Sequence, residues 1–229
     1  MRGDFGGYFR ELDEILGVAF TPVLKWILYG CTGVFLAEIF LGDVVVYALG
    51  ASLKSTILGG QVWQLVTYAF VHGSFGHFFF NLFALWMFGK RLEGAWGSER
   101  FVRLCVAAAL GAVLAQFVSS AALGRMDSRI IGISGVVYAV LVVYAMRYPD
   151  EVIYFNFLIP MKVKYFVALL GILTFFSATG SSGGGVAHLA HLGGMVVGFL
   201  FVRFPRAFDS IPLPRLRRSR RGPSRFRDL

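Results

Sequence analysis

The sequence predicts an all-α membrane protein: a bundle of six transmembrane helices, with a long membrane-associated loop between the first two. Three observations carry this. Of 229 residues, 57% are hydrophobic and only 15% are charged, where soluble domains carry about a quarter charged residues; mean hydropathy is +0.69. Six apolar runs, 22–41, 75–91, 101–122, 132–148, 163–179 and 186–204, approach the roughly 20 residues that a span requires. Basic residues also segregate. With the N-terminus inside, only Lys54, Arg125 and Arg129 of the 22 lysines and arginines fall outside, which predicts that both termini are cytoplasmic.

Residues 1–21 carry Asp4, Glu11, Asp13 and Glu14, a composition unlike a signal or transit peptide, and are expected to form a cytoplasmic segment. Residues 22–204 form the expected membrane domain, without a repeat of solenoid period. Inside it, about 33 residues separate the first two spans. They are apolar, yet too broken by glycine for a full crossing, so they are expected to lie on or in the outer leaflet. Cys31 and Cys105 fall inside apolar runs and read as small buried hydrophobes; neither a disulfide nor a metal site is expected. The tail, 205–229, is rich in Arg, Pro and Ser. It is expected to be disordered, and to fix topology and attract anionic lipid rather than nucleic acid.

The orientation also fixes depth. The second, fourth and sixth spans enter from outside at "HGSFGHFFFN", "GISG" and "GGGVAHLAHLGG". His77, Asn81, Ser134 and His191 therefore fall within about two turns of the outer face. His77 and Asn81 are i,i+4 partners, as are Ser134 and Tyr138. His191, Gly194 and Gly198 share one stripe, and small residues there let a neighbouring helix approach closely. If that neighbour is the fourth span, Ser134 comes within hydrogen-bond reach of His191. From Ser134 to Tyr148 is 15 residues, about 22 Å of helix against a hydrocarbon core of about 30 Å. Ser134 is thus expected at the floor of a wet opening.

Each residue alone has a plainer account. Ser134 reads equally as a helix N-cap, Asn81 or either histidine as an interhelical hydrogen bonder, and Tyr138 as core. Their shared depth favours one chemistry. A serine hydroxyl becomes a nucleophile when an adjacent base takes its proton, and His191 can act as that base. An oxyanion would meet the Asn81 amide, the His77 ring N–H and the Ser134 backbone N–H at the helix start. Gly132 and Gly135 leave space for backbone and substrate.

These motifs resemble those of the rhomboid intramembrane serine proteases: "HFFFN" (His77 to Asn81), "GISG" (Gly132 to Gly135) and "AHLGGMVVG" (Ala190 to Gly198) match HxxxN, GxSG and AHxxGxxxG in order and spacing over about 22–204. The resemblance implies a Ser134–His191 dyad without a catalytic carboxylate and no cofactor or metal. It further implies oxyanion support from His77, Asn81 and the Ser134 backbone, with Tyr138 stacked near His191. Implied substrates are transmembrane protein segments with helix-destabilising residues near the outer face, entering beside the fifth span (Lys164 to Ala178). A compact six-span form suits a prokaryotic plasma membrane. Family members often carry Trp-Arg in the first loop; here it is Trp63-Gln64.

Two rival side chains stand near the site. His188 is an alternative base, but lies off the glycine stripe. Glu38, near the outer end of the first span, could be drawn into a triad; a contact to the first loop is expected instead. Among rival functions, a silent client-binding relative would be expected to lack Ser134 or His191. A transporter or channel would need intramembrane charges or a crossing polar path. A soluble hydrolase would need strands and GxSxG.

Overall fold

The computed structural model describes residues 20–155, 158–179 and 185–210. The predicted segment up to residue 19 and the tail from 211 onward lie outside the described residues.

The chain is mostly helical. Helix α1 spans Pro22–Leu41 and starts on a proline, whose missing N–H costs nothing at a first turn. Thr21 makes no side-chain cap. The open N–H groups of Val23 and Leu24 are instead taken by the buried Glu93 carboxylate, at 2.9 and 3.0 Å. The long loop follows as α2 (Asp43–Leu49), a π-helical turn (Leu53–Leu58), α3 (Gln64–Thr67) and a 3₁₀ turn (Tyr68–Phe70). Gln64 stands at its centre, fully buried. Its Oε1 accepts from the Ser55 and Thr56 hydroxyls at 2.7 and 2.8 Å, while Nε2 donates to Gln61 Oε1 at 2.6 Å and the Tyr47 carbonyl at 3.1 Å. A neutral amide thus organises the loop.

Helix α4 (Phe75–Ala84) runs through a π-helical turn (Leu85–Gly89) into α5 (Lys90–Trp96), and α6 covers Ser98–Ala122. Helix α7 is Ser134–Arg147, α8 Val163–Thr179, α9 Gly185–Arg203 and α10 Pro205–Asp209. Helices α1 and α6 are long and apolar enough to cross a membrane; α7, α8 and the 188–203 part of α9 are shorter apolar helices.

The all-α expectation gains one small addition, a short hairpin in the connection from α7 to α8. Strands β1 (Val152–Phe155) and β2 (Ile159–Lys162) pair antiparallel, with Val152 opposite Lys162, because β-branched and aromatic residues favour an extended ladder and Pro160 is tolerated at an edge. The expected disorder does not begin at 205. Helix α10 is pinned by Phe208 against Phe201, centroids 4.9 Å apart, and by Asp209 facing Arg100 at 3.9 Å.

Helix α9 packs between α6 and α7, and small residues set its closeness to each. A β-carbon on Gly193 would lie 2.7 Å from the Gly111 carbonyl of α6, and one on Gly198 would lie 2.6 Å from the Ala139 carbonyl of α7. Around this contact, Ala108, Ala112, Val113, Val136, Val140 and Phe201 are buried. Cys31 and Cys105 are buried and unpaired.

Candidate active site

The approach to α7 is held by backbone bonds to the first loop. Ile130 pairs with Ala51 in an isolated bridge, and the Gly132 N–H donates to the Tyr68 carbonyl at 2.9 Å. Gly132 has φ of +101°, a conformation that only glycine adopts readily. It is required twice over, since a β-carbon there would lie 2.6 Å from Nε2 of His77. Ile133 is the cap residue and Ser134 the first residue of α7, so the Ser134 N–H has no acceptor within the helix.

From that position the Ser134 hydroxyl lies 2.7 Å from Nε2 of His191. The glycine stripe of α9 makes this possible: Gly194 packs on the Gly135 carbonyl so tightly that a β-carbon would overlap it. With Nε2 accepting from serine, the proton of a neutral His191 belongs on Nδ1, which is buried without a hydrogen-bond partner among the described residues. The ring is steadied by stacking on Tyr138, with centroids 4.4 Å apart and planes 11° from parallel. His188 stands edge-on to His191 at 6.0 Å; the hydrogen bond to Ser134 comes from His191.

The opposite wall comes from α4. Ser74 caps that helix, its hydroxyl accepting from the His77 N–H at 3.3 Å. Nδ1 of His77 lies 2.6 Å from the His72 carbonyl; a carbonyl only accepts, so Nδ1 holds a proton. An oxyanion bond from Nε2 therefore calls for the doubly protonated ring, a condition that the sequence did not express. Asn81 is buried, and its amide donates to the His77 carbonyl at 2.8 Å; the second amide hydrogen remains for another acceptor.

Three contributors escaped the sequence reading. Thr174 of α8 is buried and its hydroxyl approaches that of Tyr138 at 3.4 Å; nothing local marks it. Ser74 could have been found, since serine three residues before His77 is a cap spacing. His72 supplies the carbonyl that holds His77. Glu38 makes the expected first-loop contact, accepting from the His72 and Gly73 N–H groups at 2.8 and 2.7 Å.

The site is a serine–histidine pair with backbone and amide donors beside it, equipped for nucleophilic attack and stabilisation of an oxyanion. The chain is 27% identical over 179 residues to the rhomboid protease GlpG of Yersinia pseudotuberculosis, covering 78% of this chain and 61% of that protein. GlpG of Yersinia pestis matches to the same extent. Rhomboid-like protease 1 of Toxoplasma gondii is 30% identical over 198 residues, covering 84% of this chain and 63% of that protein. The chain thus spans about three-fifths of the length of these curated relatives. The family model of the rhomboid domain matches residues 59–206, from the loop before α3 to the start of α10, and the chain belongs to the rhomboid family.

Proposed function

We propose that this protein is an intramembrane serine endopeptidase that cleaves transmembrane segments of other membrane proteins near the outer face of the plasma membrane. The observation that supports this most is the 2.7 Å contact between Ser134 Oγ and His191 Nε2, made by residues 57 apart in sequence. In this reading six helical passes, both termini cytoplasmic, place Ser134 below the outer surface. Substrate enters beside α8, and segments with helix-destabilising residues are preferred because a scissile bond must be unwound to be reached. Residues 22–204 form the membrane domain, and the basic tail faces anionic lipid.

The steps follow from the geometry. As Ser134 Oγ bonds to the scissile carbonyl carbon, its proton passes to His191 Nε2. The oxyanion is met by the Ser134 backbone N–H, the free Asn81 amide hydrogen and, when doubly protonated, His77. His191 then gives its proton to the leaving amine as the C–N bond breaks. Water attacks the acyl-serine, again with His191 as base, and Ser134 regains its proton. Tyr138 keeps the His191 ring in plane throughout; no carboxylate takes part.

The test is labelling of the purified full chain with a fluorophosphonate probe, alongside cleavage of a transmembrane substrate. Both should be lost in Ser134→Ala and in His191→Ala, and kept in His188→Ala. Labelling that survives Ser134→Ala would remove the dyad. A folded wild type that neither labels nor cleaves would favour a client-binding protein.

A further inference from the structure

Glu38 sits in the last turn of α1 and is 9% exposed. A carboxylate in an apolar helix is costly unless its lone pairs are used. Both oxygens are used, on consecutive backbone N–H groups of His72 and Gly73 at 2.8 and 2.7 Å. What they grip is a tight turn. Gly73 has φ of +68°, the Ser74 N–H folds back onto the His72 carbonyl at 2.8 Å, and a β-carbon on Gly73 would stand 3.0 Å from Ile131. A three-residue turn whose central residue has positive φ is the rare, strained form, and it persists where surrounding contacts over-determine it.

The carbonyl that this turn presents is the one holding Nδ1 of His77 at 2.6 Å. The ring's other edge rests on Gly132, two residues before Ser134. Resting on the catalytic reading above, we propose that Glu38 is a positioning residue: it clamps the His72–Gly73 turn, and the turn aims the His77 ring at the oxyanion position. Glu38 touches neither Ser134 nor His191 and takes no proton in the reaction. Its reach across 34 and 35 residues of sequence links the end of α1 to the turn ahead of α4.

The experiment is a double-mutant cycle in the full chain, with kcat and KM measured on a single-span substrate. Glu38→Gln loses one acceptor and should lower kcat about 10-fold or more, a fraction of the roughly 10²–10³ that an oxyanion donor is worth, with KM nearly unchanged. In a His77→Ala background the same substitution should change kcat less than about 2-fold, since the group it aims is gone. Equal losses in both backgrounds would reduce Glu38 to a general structural role and overturn the proposal. Gly73→Ala strains the turn from the other side and should follow the same pattern if Glu38→Gln folds poorly. A second readout needs no turnover: ring ¹⁵N shifts of His77 should mark Nδ1 as protonated and move in Glu38→Gln. Unmoved shifts would overturn the positioning role, whereas absent turnover with moved shifts would overturn only the catalytic reading.

Discussion

Gly194 of α9 rests on the carbonyl of Gly135 in α7, with no room for a β-carbon between them. This contact lies one residue beyond Ser134 and one helical turn beyond His191, so it sets the separation of the two. In Gly194→Ala the helices must part, and a displacement of about 1 Å at a reacting pair costs on the order of 10²-fold. Fluorophosphonate labelling should fall by about that factor. Gly33→Ala is the control: nothing lies within 4 Å of that position, and labelling should be unchanged. Equal effects at both sites would mean that the helix–helix contact does not control the pair.

Tyr138 offers His191 a face, at 4.4 Å, and offers Thr174 a hydroxyl, at 3.4 Å. The face is the stronger contribution, because an aromatic pair is worth about 0.5–1.5 kcal/mol and a 3.4 Å contact is at the limit of hydrogen bonding. Tyr138→Phe should label within about 3-fold of wild type, whereas Tyr138→Ala should lose about 10-fold. The reverse order would give the dominant part to the bond with α8.

Much of the site was legible because its signals are periodic. His191, Gly194 and Gly198 repeat along one helix face, as do His77 and Asn81, and a 3.6-residue period survives from sequence into structure. The helical parts of the six apolar runs were legible from their length and composition instead, although the second passes through a π-helical turn that no composition marks. Glu38 was visible as a charge in an apolar run, but not the N–H groups it serves, 34 and 35 residues away, and nothing in the charged stretch around Glu93 marks its contacts to Val23 and Leu24, 70 and 69 residues away. Such partners are chosen by tertiary packing. The protonation of His77 Nδ1 was hidden likewise, since it depends on where the His72 carbonyl points.

Glu93 replaces the missing side-chain cap of α1. Its oxygens accept from Val23 and Leu24, and Oε1 also accepts from the Ser98 hydroxyl at 2.7 Å. Anionic acceptors at a helix N-terminus stabilise both the open N–H groups and the dipole. Glu93→Ala leaves one buried and two part-buried donors without their acceptor and should destabilise the protein by about 2–4 kcal/mol, read as a lowered midpoint of thermal unfolding in detergent. Probe labelling at low temperature should persist, because Glu93 bonds to Val23, Leu24 and Ser98 and not to Ser134 or His191. Loss of labelling with an unchanged midpoint would contradict a purely structural role.

His72 lies in the turn ahead of α4, buried, with Nδ1 donating to the Phe70 carbonyl at 3.0 Å and Nε2 unpartnered among the described residues. Burial first, and then neighbouring His77, hold its ring down at about 4, against an ordinary 6.5. As pH falls, the unfolded chain therefore takes up this proton before the folded one does. The stability it contributes is complete above about pH 6.5 and drains away towards pH 4, by on the order of 3 kcal/mol. Thermal midpoints of the wild type should fall across that window. His72→Asn keeps a donor for Phe70 without a titrating ring, and its midpoint should fall less steeply. Identical slopes would show that the His72 ring does not carry the acid sensitivity.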